Sequence, residues 1–188
     1  MNKLLIIRLL LFCLLCTACN RNVVTTPIQQ VTIRADWEKV LQDKLPLLGH
    51  RNWIVVTDMA YPLQAKEGIL TLYAEASCTD VLAVIKKMID NAPHIYAHVY
   101  QDKELSFLNE KLCPGIDSFR ININKIISDH ITVVEHERLI ARLDSISNQF
   151  QVILIKTNQT LPYTSVFFEL DCKYWNDIKQ KELDKLSE

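Results

Sequence analysis

The chain has 188 residues, of which 49% are apolar, and its formal net charge is −1. This length and apolar content suit one globular domain with a substantial core. No basic stripe occurs, so a nucleic-acid partner is not expected. The sequence contains three glycines and no glycine-rich phosphate loop or nucleophile elbow. Composition therefore argues against a nucleotide-binding protein and against a serine hydrolase of the usual α/β type.

The first eighteen residues have the outline of an export signal. Lys3 and Arg8 supply positive charge, and residues 9–15 form an apolar stretch too short to span a bilayer. The following letters, LCTAC, end in Cys19 and resemble a bacterial lipobox, in which the cysteine is lipidated. We expect residues 1–18 to be a lipoprotein signal peptide and Cys19 to anchor the protein to a membrane of the cell envelope, on its periplasmic or outer-membrane face. An ordinary cleaved signal is the alternative, because one lipobox position departs from the usual leucine.

Beyond the signal, the chain divides into a tether and a domain. Residues 19–35 are polar and lack a period, whereas residues 36–188 have the length of one domain. Three cysteines remain in the domain, Cys78, Cys113 and Cys172. No CxxC pair occurs among them, so zinc and thioredoxin-like chemistry are not indicated. An oxidising compartment permits one disulfide, and the sequence leaves the pair open.

Apolar periodicity predicts helices and strands in alternation. Asp36 and Thr79 are expected to cap the first two helices, which Pro46 and Pro93 end. Further helices are predicted at 102–112, the second half of 116–128, 135–147 and 174–186. Strands are predicted at 53–57, 69–74, 94–100, 131–134, 150–157 and 165–170. This alternation predicts a three-layer α/β/α single domain, and the short link between the last two strands predicts a mixed sheet.

The strand at 53–57 carries a candidate acid/base residue at each end. His50 lies in the turn before it, and Asp58 follows it directly. Functional residues of α/β domains lie on loops at strand ends. A strand of this length spans about 17 Å, so the two side chains meet only if loops fold back over the sheet. The simpler alternative is a surface histidine and an aspartate that caps the next loop.

Three segments taken together resemble one family of sugar mutarotases. They are LGH and VVTD within residues 48–58, the run ending in EHE at 132–137, and KTNQTLPYTS at 156–165. Their order and rough spacing over residues 37–171 are similar to those of the D-ribose pyranase and L-fucose mutarotase family. The resemblance implies a three-layer α/β/α fold and a homo-oligomer. It also implies a monosaccharide as the partner.

The resemblance implies roles for six residues. Mutarotation takes a proton from the anomeric hydroxyl and gives one to the ring oxygen, so no metal or cofactor is expected. His50 is implied as the catalytic acid/base, since imidazole titrates near neutrality. Asp58 is expected either to orient His50 or to bind a sugar hydroxyl. The implied substrate-binding residues, around a pocket that a neighbouring subunit can complete, are Asp58, His136, Tyr163, Thr164 and Ser165.

Several features keep other functions open. Ser165 stands where the family has asparagine, and residues 172–188 extend beyond the family's last strand. A non-catalytic sugar-binding lipoprotein on the same scaffold, or a structural subunit of an envelope complex, is therefore an alternative. His94 and His98 share an even spacing that would suit a metal, but no third ligand is evident, so no metal site is expected.

Lipidation of Cys19 is directly testable. Mass spectrometry of membrane-extracted protein should find a mature chain that begins at Cys19 and carries lipid. Cys19→Ala should release the protein from the membrane fraction. A soluble wild-type protein cleaved at another position would contradict the prediction.

Overall fold

The computed structural model describes residues 36–127 and 130–187, so the predicted signal, lipidated cysteine and tether lie outside it. None of the helices in this part of the chain has the length and apolar content needed to cross a bilayer. The elements in order are α1 (Trp37–Lys44, followed by a 3₁₀ turn at Leu45–Leu47), β1 (Trp53–Thr57), β2 (Ile69–Tyr73), α2 (Cys78–Asn91), β3 (Ile95–Asp102), a second 3₁₀ turn (Lys103–Phe107), α3 (Ile116–Ile126), β4 (Ile131–Val134), α4 (His136–Ile146), β5 (Val152–Lys156), β6 (Val166–Cys172) and α5 (Asp177–Leu186).

The strands form one mixed sheet in the order β2-β5-β1-β6-β3-β4. Five strands run parallel, and β6 runs antiparallel between β1 and β3. The mixed sheet was predicted from the short link between β5 and β6. These two strands are nevertheless not neighbours, because β1 lies between them. The link from β5 to β6 therefore crosses the carboxyl end of β1 instead of forming a hairpin.

Helices cover both faces of the sheet, which confirms the predicted three layers. On one face, Leu41 of α1, Ile85 of α2 and Ile123 of α3 share a core with β1 and β6. On the other face, Leu139 and Leu143 of α4 form a second core. All five residues of β1 are fully buried, as expected for a central strand covered on both sides. Helix α5 buries no residue and is peripheral, as predicted.

The starts of α2 and α3 differ from prediction, and α5 begins at Asp177 instead of Tyr174. Helix α2 begins at Cys78 because the side chain of Ser77, not Thr79, accepts a hydrogen bond from the backbone and caps it. Helix α3 covers Ile116–Ile126, whereas a helix was predicted only for the second half of residues 116–128. Gly115 has a φ of 96°, a left-handed conformation that glycine adopts without strain, and it turns the chain into α3.

The predicted helix at 102–112 is wrong. Asp102 is instead the last residue of β3, and only a 3₁₀ turn follows. The next residues are held in a turn by side chains, since Asn109 accepts from the backbone of Lys111 and Leu112. Such local side-chain bonds compete with helix formation.

The three cysteines of the described chain are free thiols. Cys78 and Cys113 are buried. Burial, opposed by a hydrogen bond with Thr157, raises the pKa of Cys78 to about 12. This thiol is therefore protonated at neutral pH and is not a nucleophile.

Gly68 lies directly against backbone and gives a stability prediction. A Cβ at this position would lie 1.9 Å from the carbonyl oxygen of Ser147. Gly68→Ala should lower the free energy of unfolding by about 1–3 kcal/mol, because backbone must move to admit the methyl group. Chemical denaturation measures the change. The control is Gly49→Ala, where an added Cβ meets no atom within 4 Å. Equal stability of the two variants would contradict the packing.

Candidate functional site

The carboxyl ends of the parallel strands meet at one edge of the sheet, and a cleft lies there. Its volume is ≈ 500 Å³, within the range of small-molecule sites. Segments distant in sequence form the cleft: the loop after β1, the start of α4 and the loop after β5. The lining residues are Asp58, Met59, Ala60, Tyr61, Pro62, His136, Thr160, Leu161, Pro162 and Tyr163.

Three of the predicted site residues therefore lie together: Asp58, His136 and Tyr163. The ring of Tyr163 packs edge-on against the ring of His136, with centroids 5.4 Å apart. Tyr163 has a φ of 57°, which is uncommon for an aromatic residue and often marks a functional position. Asp58 accepts a hydrogen bond from the backbone of Ala60 at 2.8 Å, which turns the loop over the cleft.

Behind His136 lies a buried carboxylate, Asp102, that the sequence analysis missed. Its Oδ1 lies 3.1 Å from Nδ1 of His136, at ion-pair distance, although the two atoms are not aligned as in a good hydrogen bond. Burial raises the pKa of Asp102 to about 6; His136 opposes the shift, and Glu104 and Asp58 add to it. A carboxylate at a strand end, like Asp58, was the available signal. The wrongly predicted helix at 102–112 concealed it.

Tyr61 is a second residue that sequence reasoning missed. It is buried, it lines the cleft, and its hydroxyl has no hydrogen-bond partner within the described residues. Burial, with the nearby Asp102 and Asp58 carboxylates, raises the pKa of Tyr61 above its usual range. The hydroxyl is therefore protonated at neutral pH, and it is buried behind the cleft surface. Lys156 fixes the loop by donating to the Tyr61 carbonyl oxygen at 2.6 Å.

Thr164 and Ser165 do not line the cleft. Both are buried, and Thr164 donates to the carbonyl oxygen of Leu161 at 2.8 Å. This bond stabilises the turn that presents Tyr163. The hydroxyl of Ser165 has no hydrogen-bond partner in the part of the chain that the structure describes.

His50 lies at the opposite, amino edge of the sheet. Its Nδ1 is 2.6 Å from Oδ1 of Asp171, and its side chain is 56% exposed. The length of β1, about 17 Å, separates this edge from the cleft. One chain therefore does not bring His50 together with Asp58, His136 and Tyr163. Asp171, not Asp58, contacts the imidazole of His50 within the chain.

The histidines considered for a metal point to different partners. His94 contacts the carbonyl oxygens of Leu45 and Leu48 at 3.3 and 3.0 Å, whereas His98 lies 3.3 Å from Asp171. Residues 36–127 and 130–187 contain no group of three or more His, Cys, Asp or Glu side chains arranged to hold a metal ion.

No protein-family model and no curated protein sequence matches this chain. Solved structures do match its fold. The fucose mutarotase from Streptococcus pneumoniae, in complex with L-fucose, aligns with a TM-score of 0.50 and 18% identity over 70% of this chain and 91% of that one. The chain has the fold of this mutarotase, which confirms the predicted fold class. RbsD from Bacillus subtilis, complexed with D-ribose, aligns with a TM-score of 0.49 and 18% identity over 76% of this chain and 95% of that one.

The titration of Asp102 predicts a pH dependence of stability. Its folded pKa of about 6 lies above the ordinary value of 3.8, so the folded state binds the proton more tightly. The contribution of Asp102 to wild-type stability should therefore fall as pH rises from about 4 to about 6 and level off above that. Asp102→Asn removes this titration, so the variant should gain stability relative to wild type over the same interval.

Urea denaturation at several pH values measures this difference. Asp43→Asn is the control, since Asp43 is an exposed carboxylate on α1. A difference between Asp102→Asn and wild type that does not change with pH would contradict the burial of an ionisable carboxylate.

Proposed function

We propose that this chain binds a monosaccharide in the cleft and interconverts its anomers or ring forms by proton transfer. One observation carries the proposal: distant segments place Asp58, His136 and Tyr163 around a cavity that fits a monosaccharide, with Asp102 behind His136. The fold shared with a mutarotase is consistent with this function, although a fold alone does not determine activity.

The cleft offers the two kinds of contact that a sugar needs. Its apolar wall, with Met59, Pro62 and Leu161, and the ring of Tyr163 suit the C–H face of a sugar ring. Asp58 can accept hydrogen bonds from sugar hydroxyls.

His136 is placed to transfer a proton. Its Nδ1 faces Asp102, so Nε2 is the nitrogen available to a ligand. In ring opening, a base takes the proton of the anomeric hydroxyl, whose O–H electrons form the carbonyl. The bond between the anomeric carbon and the ring oxygen breaks, and the ring oxygen takes up a proton. Asp102 stabilises the imidazolium that forms when His136 acts as the base.

The second proton-transfer group is His50, supplied by a second copy of this chain. The exposed position of His50 at the amino edge leaves it free to enter the cleft of a neighbour. A homo-oligomer of this kind brings both histidines to one sugar. It also explains why a single chain keeps them apart.

The predicted lipid anchor is part of the proposal. Attachment through Cys19 would place this activity at a membrane of the cell envelope. The supporting pattern lies within residues 1–35, outside the described part of the chain.

A specific observation favours a second candidate, a monosaccharide-binding lipoprotein without catalysis. His50 is remote from the cleft of its own chain, and Ser165, which replaces the family's asparagine, is buried away from it. A cleft with one histidine and no second proton-transfer group would bind a sugar without accelerating its ring opening.

NMR exchange measurements on D-ribose and L-fucose test the function. Anomer exchange should be faster with protein than without it. His136→Gln should remove this excess, since positioned acid/base catalysis contributes about 10²–10⁴-fold. His130→Gln is the matched control, because His130 is exposed and does not line the cleft. Sugar binding without any rate excess would favour the non-catalytic candidate.

Mixing inactive variants tests the shared site. His50→Gln and His136→Gln should each be inactive alone. After their subunits exchange, about a quarter of randomly mixed sites should contain both histidines, because neighbouring copies contribute one each. Mixtures that stay inactive would contradict the supply of His50 by a second copy.

A further inference from the structure

A cluster of four side chains lies at the amino edge of the sheet, away from the cleft. We call His50, Tyr96, His98 and Asp171 the amino-edge cluster. Oδ1 of Asp171 lies 2.6 Å from His50, while Oδ2 accepts from the Tyr96 hydroxyl at 3.1 Å and lies 3.3 Å from Nε2 of His98. Both carboxylate oxygens are thus engaged, and the members come from the turn before β1, from β3 and from β6.

The hydrogen bonds around His50 determine which ring nitrogen carries the proton. Nε of Arg51 donates to Nε2 of His50 at 3.1 Å. An arginine N–H can only donate, so Nε2 must be the acceptor and the proton of the neutral ring is on Nδ1. That N–H points at Asp171, which as a carboxylate can only accept. The two contacts therefore agree on one tautomer.

We infer that Asp171 is a positioning residue for His50: it holds the imidazole as the Nδ1–H tautomer and so keeps the lone pair on Nε2, where a substrate must displace the Arg51 hydrogen bond to deliver its proton. The inference rests on the proposed function, in which His50 transfers a proton. The tautomer of His50 then depends on a residue that lies 121 positions away in sequence. A group that orients the base of an acid/base pair is a recurring requirement of such sites.

The surroundings keep the Asp171 carboxylate charged and fixed. Partial burial by itself raises the pKa of Asp171. Hydrogen bonds from the backbone of Cys172 and from His50, Tyr96 and His98 outweigh it and lower this pKa to about 2. Asp171 also lies directly opposite Tyr96 in the pairing of β3 with β6. The acceptor therefore has a fixed place beside His50 and is ionised at neutral pH.

NMR of the full chain labelled with ¹⁵N-histidine tests the tautomer directly. Neutral His50, assigned by its loss in His50→Gln, should carry its proton on Nδ1. In Asp171→Ala this preference should be lost. Asp171→Asn keeps an acceptor of the same shape and should retain part of it. Tyr96→Phe is the control, since it removes another contact of Asp171 but leaves the carboxylate beside His50.

Exchange rates give the second measurement. Asp171→Ala should lower the anomer-exchange excess by about 10- to 100-fold, by analogy with the cost of removing a carboxylate that orients a metal-bound histidine, without changing sugar affinity. An unchanged His50 tautomer in Asp171→Ala, or an equal change in Tyr96→Phe, would overturn the inference. If the wild-type protein shows no rate excess, the proposed function fails, and the tautomer measurement still decides the role of Asp171.

Discussion

The complete burial of β1 is the constraint on which the arrangement of the sites depends. Its five residues have no exposed surface, because helices cover both faces and β5 and β6 flank both sides. Such a strand has no room for a charged or catalytic side chain along its length. Charged and titratable groups lie only beyond its ends, where His50 and Asp58 are found. The molecule consequently has two polar edges, separated by the length of one strand.

Each edge pairs a histidine with an aspartate through Nδ1, but the two aspartates differ in environment. Asp102 is buried and has a pKa of about 6, whereas Asp171 is partly exposed, receives several hydrogen bonds and has a pKa of about 2. The first pair therefore changes charge near neutral pH, and the second keeps its carboxylate ionised. Environments that separate the pKa values of like groups are characteristic of acid/base sites.

Loop contacts give the cleft its shape. The backbone N–H of Met59 donates to the carbonyl oxygen of Gln159 at 2.8 Å, which joins the loop after β1 to the loop after β5. Lys156 adds a bond to the Tyr61 carbonyl oxygen. These loops are adjacent only because β5 lies beside β1 in the sheet. The parallel pairing of the two strands is therefore a condition for the cleft as well as for the core.

Local periodicity in the sequence determined most of the elements and the α/β class, because apolar spacing and capping depend on neighbours in the chain. Of the three cleft residues, Asp58 followed from its place at a strand end, and His136 and Tyr163 were implied by the family resemblance. Asp102 was missed because the sequence predicted that a helix begins there, whereas Asp102 is the last residue of β3. Asp171 lies just beyond the predicted last strand, and its role arises from pairing β6 with β1 and β3. The separation of His50 from the cleft and the burial of Ser165 also required the tertiary structure, because they are set by contacts between residues far apart in sequence.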